Sequence, residues 1–518
     1  MKKITKNTVM AALSISLIAS ACTDALDQHP SGLLTGNNFF QTEDDAVTAV
    51  AGIYAILVHS DKNTPLYGDQ ILYLNDLASD YMRAGANSNS PETRAVSSVS
   101  YDASNFEVQC TWEQLYKGIA RANLAIDNIP NVIAEDAIKI RLINEAKFLR
   151  ALLYFNAVQF WGDIPLVKSS EYAAEDLNRQ PREDVYAFIV QDLKDASALP
   201  AEQADKGRAT SGAALALLAR IYLVHSSLPG ANVTSDLNSA VENACKVIDS
   251  KQYELFANFY DAFDPAKKNG KEHIFSAQFA YGQDNGFSGN STQHCIWSTG
   301  YNQNEPVLIV ADTGLFYNSY SDGDQRKAGS YAKSFYNPET GSVFEFDLPR
   351  FRKQIDTTNG ANWLASAINV PVIRYADVYF TLAEALNELG GPDNEYNGIS
   401  AYDALNEIRR RAFREGKYSA SGTAPATHDL HGLNKDSFRE TLQQERYFEF
   451  VLEQTRWFDL VRWKKLVSSV KRTKPAVSVR NYLYPIPNSE RLLNPDGLWQ
   501  NYGYEGATVA NPYDETFK

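Results

Sequence analysis

One spacing limits what this chain can become. Between residues 136 and 161, Leu142, Ala146, Leu149, Leu153, Ala157 and Phe160 return every three or four positions. That interval lines them up along one face of an α-helix. Pro130 and Pro165 bracket the region as helix breakers. A helix over 112–129 is expected to pair with it. The same pattern predicts 182–199 paired with 211–225, a helix over 235–248, and 372–389 paired with 400–414. A last pair falls within 433–467. A helix with one apolar face must bury it against another, and a long series of short-linked pairs does so by stacking. The fold class is therefore mostly α: tetratricopeptide-like helix pairs forming an α-superhelical scaffold, with a generic helical bundle as the alternative.

The last pair is the most aromatic. Leu442, Phe448, Val451 and Leu452 recur at helical spacing, then Trp457, Leu460 and Val461, with a join near Gln454 and Thr455. A stripe of this kind is core, so Trp457 and Trp463 are expected to be structural. The alternation of Arg with Trp does not point to nucleic acid. The net charge is −14 and the pI about 5.1, whereas the phosphate backbone requires a cationic face.

The chain begins with a targeting segment. Lys2, Lys3 and Lys6 precede a short apolar run, residues 9–19, which is too short to span a bilayer. It ends Ala19-Ser20-Ala21-Cys22, small residues before a Cys, which predicts a lipoprotein signal over 1–21 and lipid attachment at Cys22. Residues 22–41 read as a polar tether. Thr42 followed by acids starts the folded part, with Ala46, Val50, Ile53 and Leu57 facing inward. The remaining cysteines, Cys110, Cys245 and Cys295, are odd in number and match no metal spacing, so the core must hold the fold.

Between the helices lie two stretches of another kind. A helix is expected over 69–83, then a long loop over 84–105 rich in Ser, Asn, Ala and Gly. The middle, 252–371, is dense in Gly, Asn, Ser and Tyr and lacks long periodic runs. It reads as a loop-rich, short-strand subdomain inserted between a helical part over 42–251 and another over 372–518.

No motif for nucleophilic, metal-dependent or nucleotide chemistry is present, so an enzyme is not expected. His428 and His431 lie three apart in a polar, Gly-containing segment without further ligands, a poor metal site. Asp322-Gly323-Asp324 reads as a turn or helix cap, with a structural calcium the remote alternative and no other cofactor implied. Sugar recognition fits the composition better: aromatic faces stack on C–H-rich ring faces while amide, carboxylate and Arg groups take the hydroxyls. Candidate ligand residues are Tyr281, Trp297, Tyr301, Asn302 and Trp363 in the middle, with Asp76, Asp80 and Arg83 earlier. Trp297 and Trp363 stand out as large apolar groups in polar loops.

Four motifs resemble one family. ERYFEF at 445–450 with RWFDLVRW at 456–463, YLYPIPNSERLLNPDGLWQNYGY at 482–504, LRALLYFNAVQFWGDIPLV at 149–167 and IRYADVYFTLAEALNELG at 373–390 resemble, in order, the SusD/RagB nutrient-binding lipoproteins. The resemblance implies a tetratricopeptide-type scaffold and an outer-membrane, outward-facing location. It also implies a SusC-like TonB-dependent transporter as partner and a captured oligosaccharide, or alternatively peptides. Ligand contacts would come from the early loops and the middle insertion. Those loops carry no family motif, so no binding residue transfers by position.

Overall fold

The computed structural model describes residues 39–59, 64–280, 306–337, 341–356 and 366–513, with residues 290, 292, 296 and 517. Helix α1 (Glu43–Ile56) begins at the expected cap. The Thr42 hydroxyl accepts from the Asp45 N–H, and the Asp45 carboxylate accepts from the Thr42 N–H.

The next stretch departs from expectation. In place of one regular helix over 69–83, the chain makes two wide helical turns, Leu66–Gln70 and Leu72–Leu77. The Gln70 and Ala78 N–H groups reach back five residues, to the carbonyls of Pro65 and Tyr73. The stretch ends in strand β1 (Met82–Ala84). Within the expected loop over 84–105 lies a helix, α2 (Pro91–Ser98), capped by the Ser90 side chain and opened by Pro91.

The paired helices follow. Helix α3 (Phe106–Val132) continues past Pro130, which occupies its last turn, and packs on α4 (Asp136–Trp161). A short β2 (Ile164–Pro165) and β3 (Arg179–Gln180) pair after α4. Helices α5 (Arg182–Ala196), α6 (Ser211–His225) and α7 (Val233–Asp249) each pack on the one before. The chain then leaves the stack for β4 (His273–Ala277), β5 (Leu308–Val310), a short α8 (Gln325–Ser330), β6 (Tyr331–Asn337), β7 (Ser342–Phe351) and β8 (Val370–Arg374). β4 and β8 pair antiparallel, His273 opposite Arg374 and Ala277 opposite Val370, which closes this excursion at its base. β5 pairs antiparallel with β1 and packs on β7. β6 and β7 form a hairpin. Helix α9 (Tyr375–Gly390) returns to the stack against α6 and α7, and α10 (Ala401–Phe413) and α11 (Lys435–Phe450) pack on it.

α11 and α12 (Arg456–Arg462) explain why the aromatic stretch is built as it is. The chain turns between them through Leu452 and Gln454, at φ +62° and +60°. Three side chains from the wide-turn segment hold that turn. The Leu452 N–H donates to the Tyr81 hydroxyl (2.9 Å), the Gln454 N–H to Asp76 Oδ2 (2.9 Å) and the Trp457 N–H to Asn75 Oδ1 (2.8 Å). Trp457 is 1% exposed, and Trp463 is half-buried with its Nε1–H on Glu384 Oε1. Both sit in the scaffold, as expected.

The polar residues of the same stretch meet opposite charges in the interior. Glu445, Glu449 and Glu453 are four apart and share a helix side or its continuation. Glu445 receives Arg326 at 2.6 Å and also Arg409; Glu449 receives Arg374 at 3.0 Å and also Arg411; Glu453 receives Arg374 at 2.7 Å and Lys353 at 2.8 Å. Arg446 bridges Asp377 and Asp459 at 2.6 and 2.7 Å. Burial pushes the Glu449 carboxyl up, but Arg411, Arg374, Arg326 and Lys353 outweigh it and hold the group at about 2.

Candidate functional site

The residues singled out for binding fall in three different settings. Asp76 and Asp80 are wholly buried. Asp76 accepts the Gln454 N–H, and Asp80 takes a two-pronged bond from Arg456 at 2.9 and 2.7 Å, so both carboxylates are committed inside the protein. Burial pushes the Asp76 carboxyl up to about 7 although the Gln454 N–H opposes it. Arg83 is exposed on β1, opposite Ile309 of β5, and its Nη1 donates to its neighbour's carbonyl, Ala84 O. Tyr281, Trp297, Tyr301, Asn302 and Trp363 lie outside the described residues, as does Cys22. In the same stretch of sequence Thr292 donates its hydroxyl to Gly68 O at 2.7 Å, and Asn290 and Ser366 exchange backbone hydrogen bonds at 2.8 and 3.0 Å. Ile296 is buried in the core.

The metal and cap alternatives resolve locally. Asp324 caps α8 through the Arg326 N–H and chelates the buried Arg326 guanidinium, so Asp322-Gly323-Asp324 is a turn leading into a cap. His428 stacks on Phe413 with centroids 3.8 Å apart and bonds Glu415, whereas His431 faces the Asp429 carbonyl. The two imidazoles do not converge. Cys110 and Cys245 are buried, and the Cys110 Sγ accepts from Gln114 Nε2 at 3.2 Å.

The largest concavity among those described was not foreseen from the sequence. A hollow of about 1000 Å³ opens beside the β6–β7 hairpin, within the range of ligand pockets. Tyr260, Tyr317, Tyr331, Phe335 and Tyr336 bring aromatic rings to it. Ser321, Asp322 and Gln325 add hydrogen-bonding groups, and Lys327, Arg352 and Arg414 add cations. Lys327 lies over the Tyr317 ring, its Nζ 4.5 Å from the centroid, and the Arg352 guanidinium lies 4.4 Å over Tyr260. Tyr331 is fixed from behind by a 2.6 Å hydrogen bond between its hydroxyl and that of Tyr447 on α11. The Tyr260 hydroxyl donates to Ile355 O. At the outer end of the hairpin Tyr336 stands opposite Val343, 58% and 60% exposed. The arrangement offers flat faces and directional polar groups, which suits holding a ligand. The sequence signal was present in YAKSFYN and SVFEFDLPRF, whose alternation is that of strands.

A second cavity, about 290 Å³, lies between α12 and the C-terminal segment, lined by Tyr186, Phe458, Tyr482, Trp499 and Tyr513. Residues 509–513 cover one side of it, and Arg179 lies 3.5 Å over Trp499 with its N–H groups on backbone carbonyls and Asn501. It is a seam where the chain closes on itself.

The fold and its motifs have counterparts among known proteins. A family model described as the SusD family matches residues 291–476, and another, described as starch-binding and associating with the outer membrane, matches 41–223. A SusD-like protein of Formosa agariphila, P25, is 28% identical over 92% of this chain and 94% of its own length. The starch-binding protein SusD of Bacteroides thetaiotaomicron is 27% identical over 97% and 99%. A crystal structure of a SusD superfamily protein from Parabacteroides distasonis matches with a TM-score of 0.75 at 25% identity, over 91% of this chain and 100% of that one. A laminarin-binding SusD-like protein shares the fold with a TM-score of 0.72 at 22% identity, over 90% and 100%. With the helical stack, the motifs in order and these likenesses together, the chain belongs to the SusD/RagB family.

Proposed function

We propose that this protein is a non-enzymatic, glycan-capturing lipoprotein of the outer-membrane surface, which hands an oligosaccharide to a SusC-like TonB-dependent transporter. The family is one of starch and glycan binders associated with the outer membrane. The observation that carries the reading for this chain is the open, aromatic-lined hollow beside the β6–β7 hairpin. Tyrosine rings presented on a rigid support bind sugar faces with little ordering cost, and the side groups around them take hydroxyls. Outward orientation through a lipid on Cys22, hand-over to the transporter, and further contacts from Arg83, Tyr281, Trp297, Tyr301, Asn302 and Trp363 belong to the same reading.

Calorimetry of the mature protein against glycans and against peptides of similar length tests it. Saturable binding of at least one glycan, with no turnover of it on prolonged incubation, is the result expected. Peptide binding with no glycan bound would replace sugar by peptide as the cargo.

A further inference from the structure

The hollow differs in charge from the molecule around it. The chain carries −14, yet Lys327, Lys333, Arg352 and Arg414 all line this one concavity. Of the lining acids, Asp324 is buried against Arg326, which leaves Asp322 facing solvent. The cations are held by neutral groups. Lys327 rests on Tyr317, Lys333 donates to Asp347 O at 3.2 Å, Arg352 to Ala328 O at 2.9 Å, and Arg414 to Gln325 Oε1 at 3.2 Å. Among the described residues no carboxylate forms an ion pair with any of the four. Elsewhere the same chain pairs its arginines closely, as Arg446 and Arg374 show. Uncompensated cations gathered in a concave, low-dielectric surface concentrate a positive field and draw anions against the repulsion of the whole.

A neutral sugar has no use for that field. We propose that the hollow selects an anionic saccharide, one bearing a carboxylate or a sulfate ester, with its ring on the tyrosines and its oxyanion on Lys327 and Arg352. This rests on the glycan-capture reading and narrows it. Each cation already sits over a ring, 4.5 and 4.4 Å from the centroids. The cations cover those faces, so a sugar ring on the exposed Tyr336 or at the open edges of Tyr317 and Tyr260 carries an exocyclic anion toward a charge already in place. Charge-assisted hydrogen bonds from guanidinium and ammonium to such an oxyanion are about twice as strong as neutral ones.

Titration calorimetry with polygalacturonate, dextran sulfate, laminarin and starch, at low and at moderate salt, decides the matter. The acidic polymers are expected to bind about tenfold more tightly than the neutral ones at low salt, and to lose that advantage as salt screens exposed charges. Polygalacturonate against dextran sulfate separates carboxylate from sulfate. Lys327→Gln with Arg352→Gln should abolish the preference while melting temperature holds. Should that protein fold poorly, Lys327→Gln with Arg414→Gln, which removes no buried group, is expected to cut acidic-polymer affinity severalfold. Acidic-polymer binding that survives these changes overturns the assignment. Neutral glycans bound as tightly as acidic ones, or acidic polymers unbound while neutral ones bind, overturn it and leave glycan capture standing. No glycan binding at all removes glycan capture itself.

Discussion

At the scale of single residues, the same few side chains decide whether the stack closes. Trp457 fills the space where the 451–456 turn meets the wide-turn segment, close to Tyr484 and nearly free of solvent. Trp457→Ala is expected to cost about 3–5 kcal/mol in denaturant unfolding, while the folded fraction keeps its glycan affinity. Asp76 supplies a pH signature. Its carboxyl titrates near 7 when folded, pushed up by burial from the ordinary carboxylate value of about 4. Between those values the folded state holds a proton that the unfolded state has released, so this group's contribution to stability falls as pH rises from about 4 to 7 and is constant beyond. Asp76→Asn keeps the acceptor for the Gln454 N–H and removes the titration. Its stability relative to wild type should therefore rise across that window, and a parallel pair of curves would show that Asp76 does not titrate there. The proposal for Trp297 concerns binding. Its place in a Gly-, Asn- and Ser-rich segment suits a stacking platform, and by analogy with base–aromatic stacking Trp297→Ala should weaken glycan binding by about 1–3 kcal/mol. A collapse in melting temperature with affinity intact would mark it as core instead.

At the scale of elements, the helices were legible because amphipathic spacing is local. The 211–225 expectation coincides with α6 and the 136–161 expectation with α4, and the join near Gln454 is where α11 and α12 separate. The segment after Asp69 was not legible. Its wide turns exist because Asn75, Asp76 and Tyr81 are drawn to backbone N–H groups some 370 residues further along, and no local pattern encodes a partner so distant. α2 was missed although Ser90-Pro91-Glu92 is a helix start, because its eight residues lack a long apolar face. The acids of α11 interlock with arginines inside the protein, and local spacing does not reveal this because Arg326, Arg374, Arg409 and Arg411 come from distant parts of the chain. A buried ion network of this type specifies one arrangement more than it adds stability, but breaking it is costly. Glu449→Gln leaves Arg374 and Arg411 short of charge, and about 3–5 kcal/mol of destabilisation is expected by chemical denaturation. A loss under 1 kcal/mol would mean that the neighbouring Glu272 and Glu453 carry the arginines unaided.

At the scale of the whole molecule, the scaffold could be read from the chain and the site could not. The rings of the hollow are spread from Tyr260 to Tyr336 in sequence and meet in a fold where β4 pairs with β8 and β5 with β1. Location depends on the other end of the chain. Among the described residues no helix is long and apolar enough to cross a membrane, and the proposed anchor is a lipid on Cys22. A single acyl chain anchors only marginally, and each further attachment adds to the hold. A bound transporter would be that second attachment. Cys22→Ala, expressed without the transporter, is expected in the soluble fraction after gentle lysis, while the wild type sediments with outer membranes. Restoring the transporter should bring part of the variant back to the membrane and allow the two to co-purify. A Cys22→Ala protein that stays wholly with the membrane in the transporter's absence would show that the lipid is not what holds it. Co-purification lost along with the lipid would show that the transporter is no second anchor.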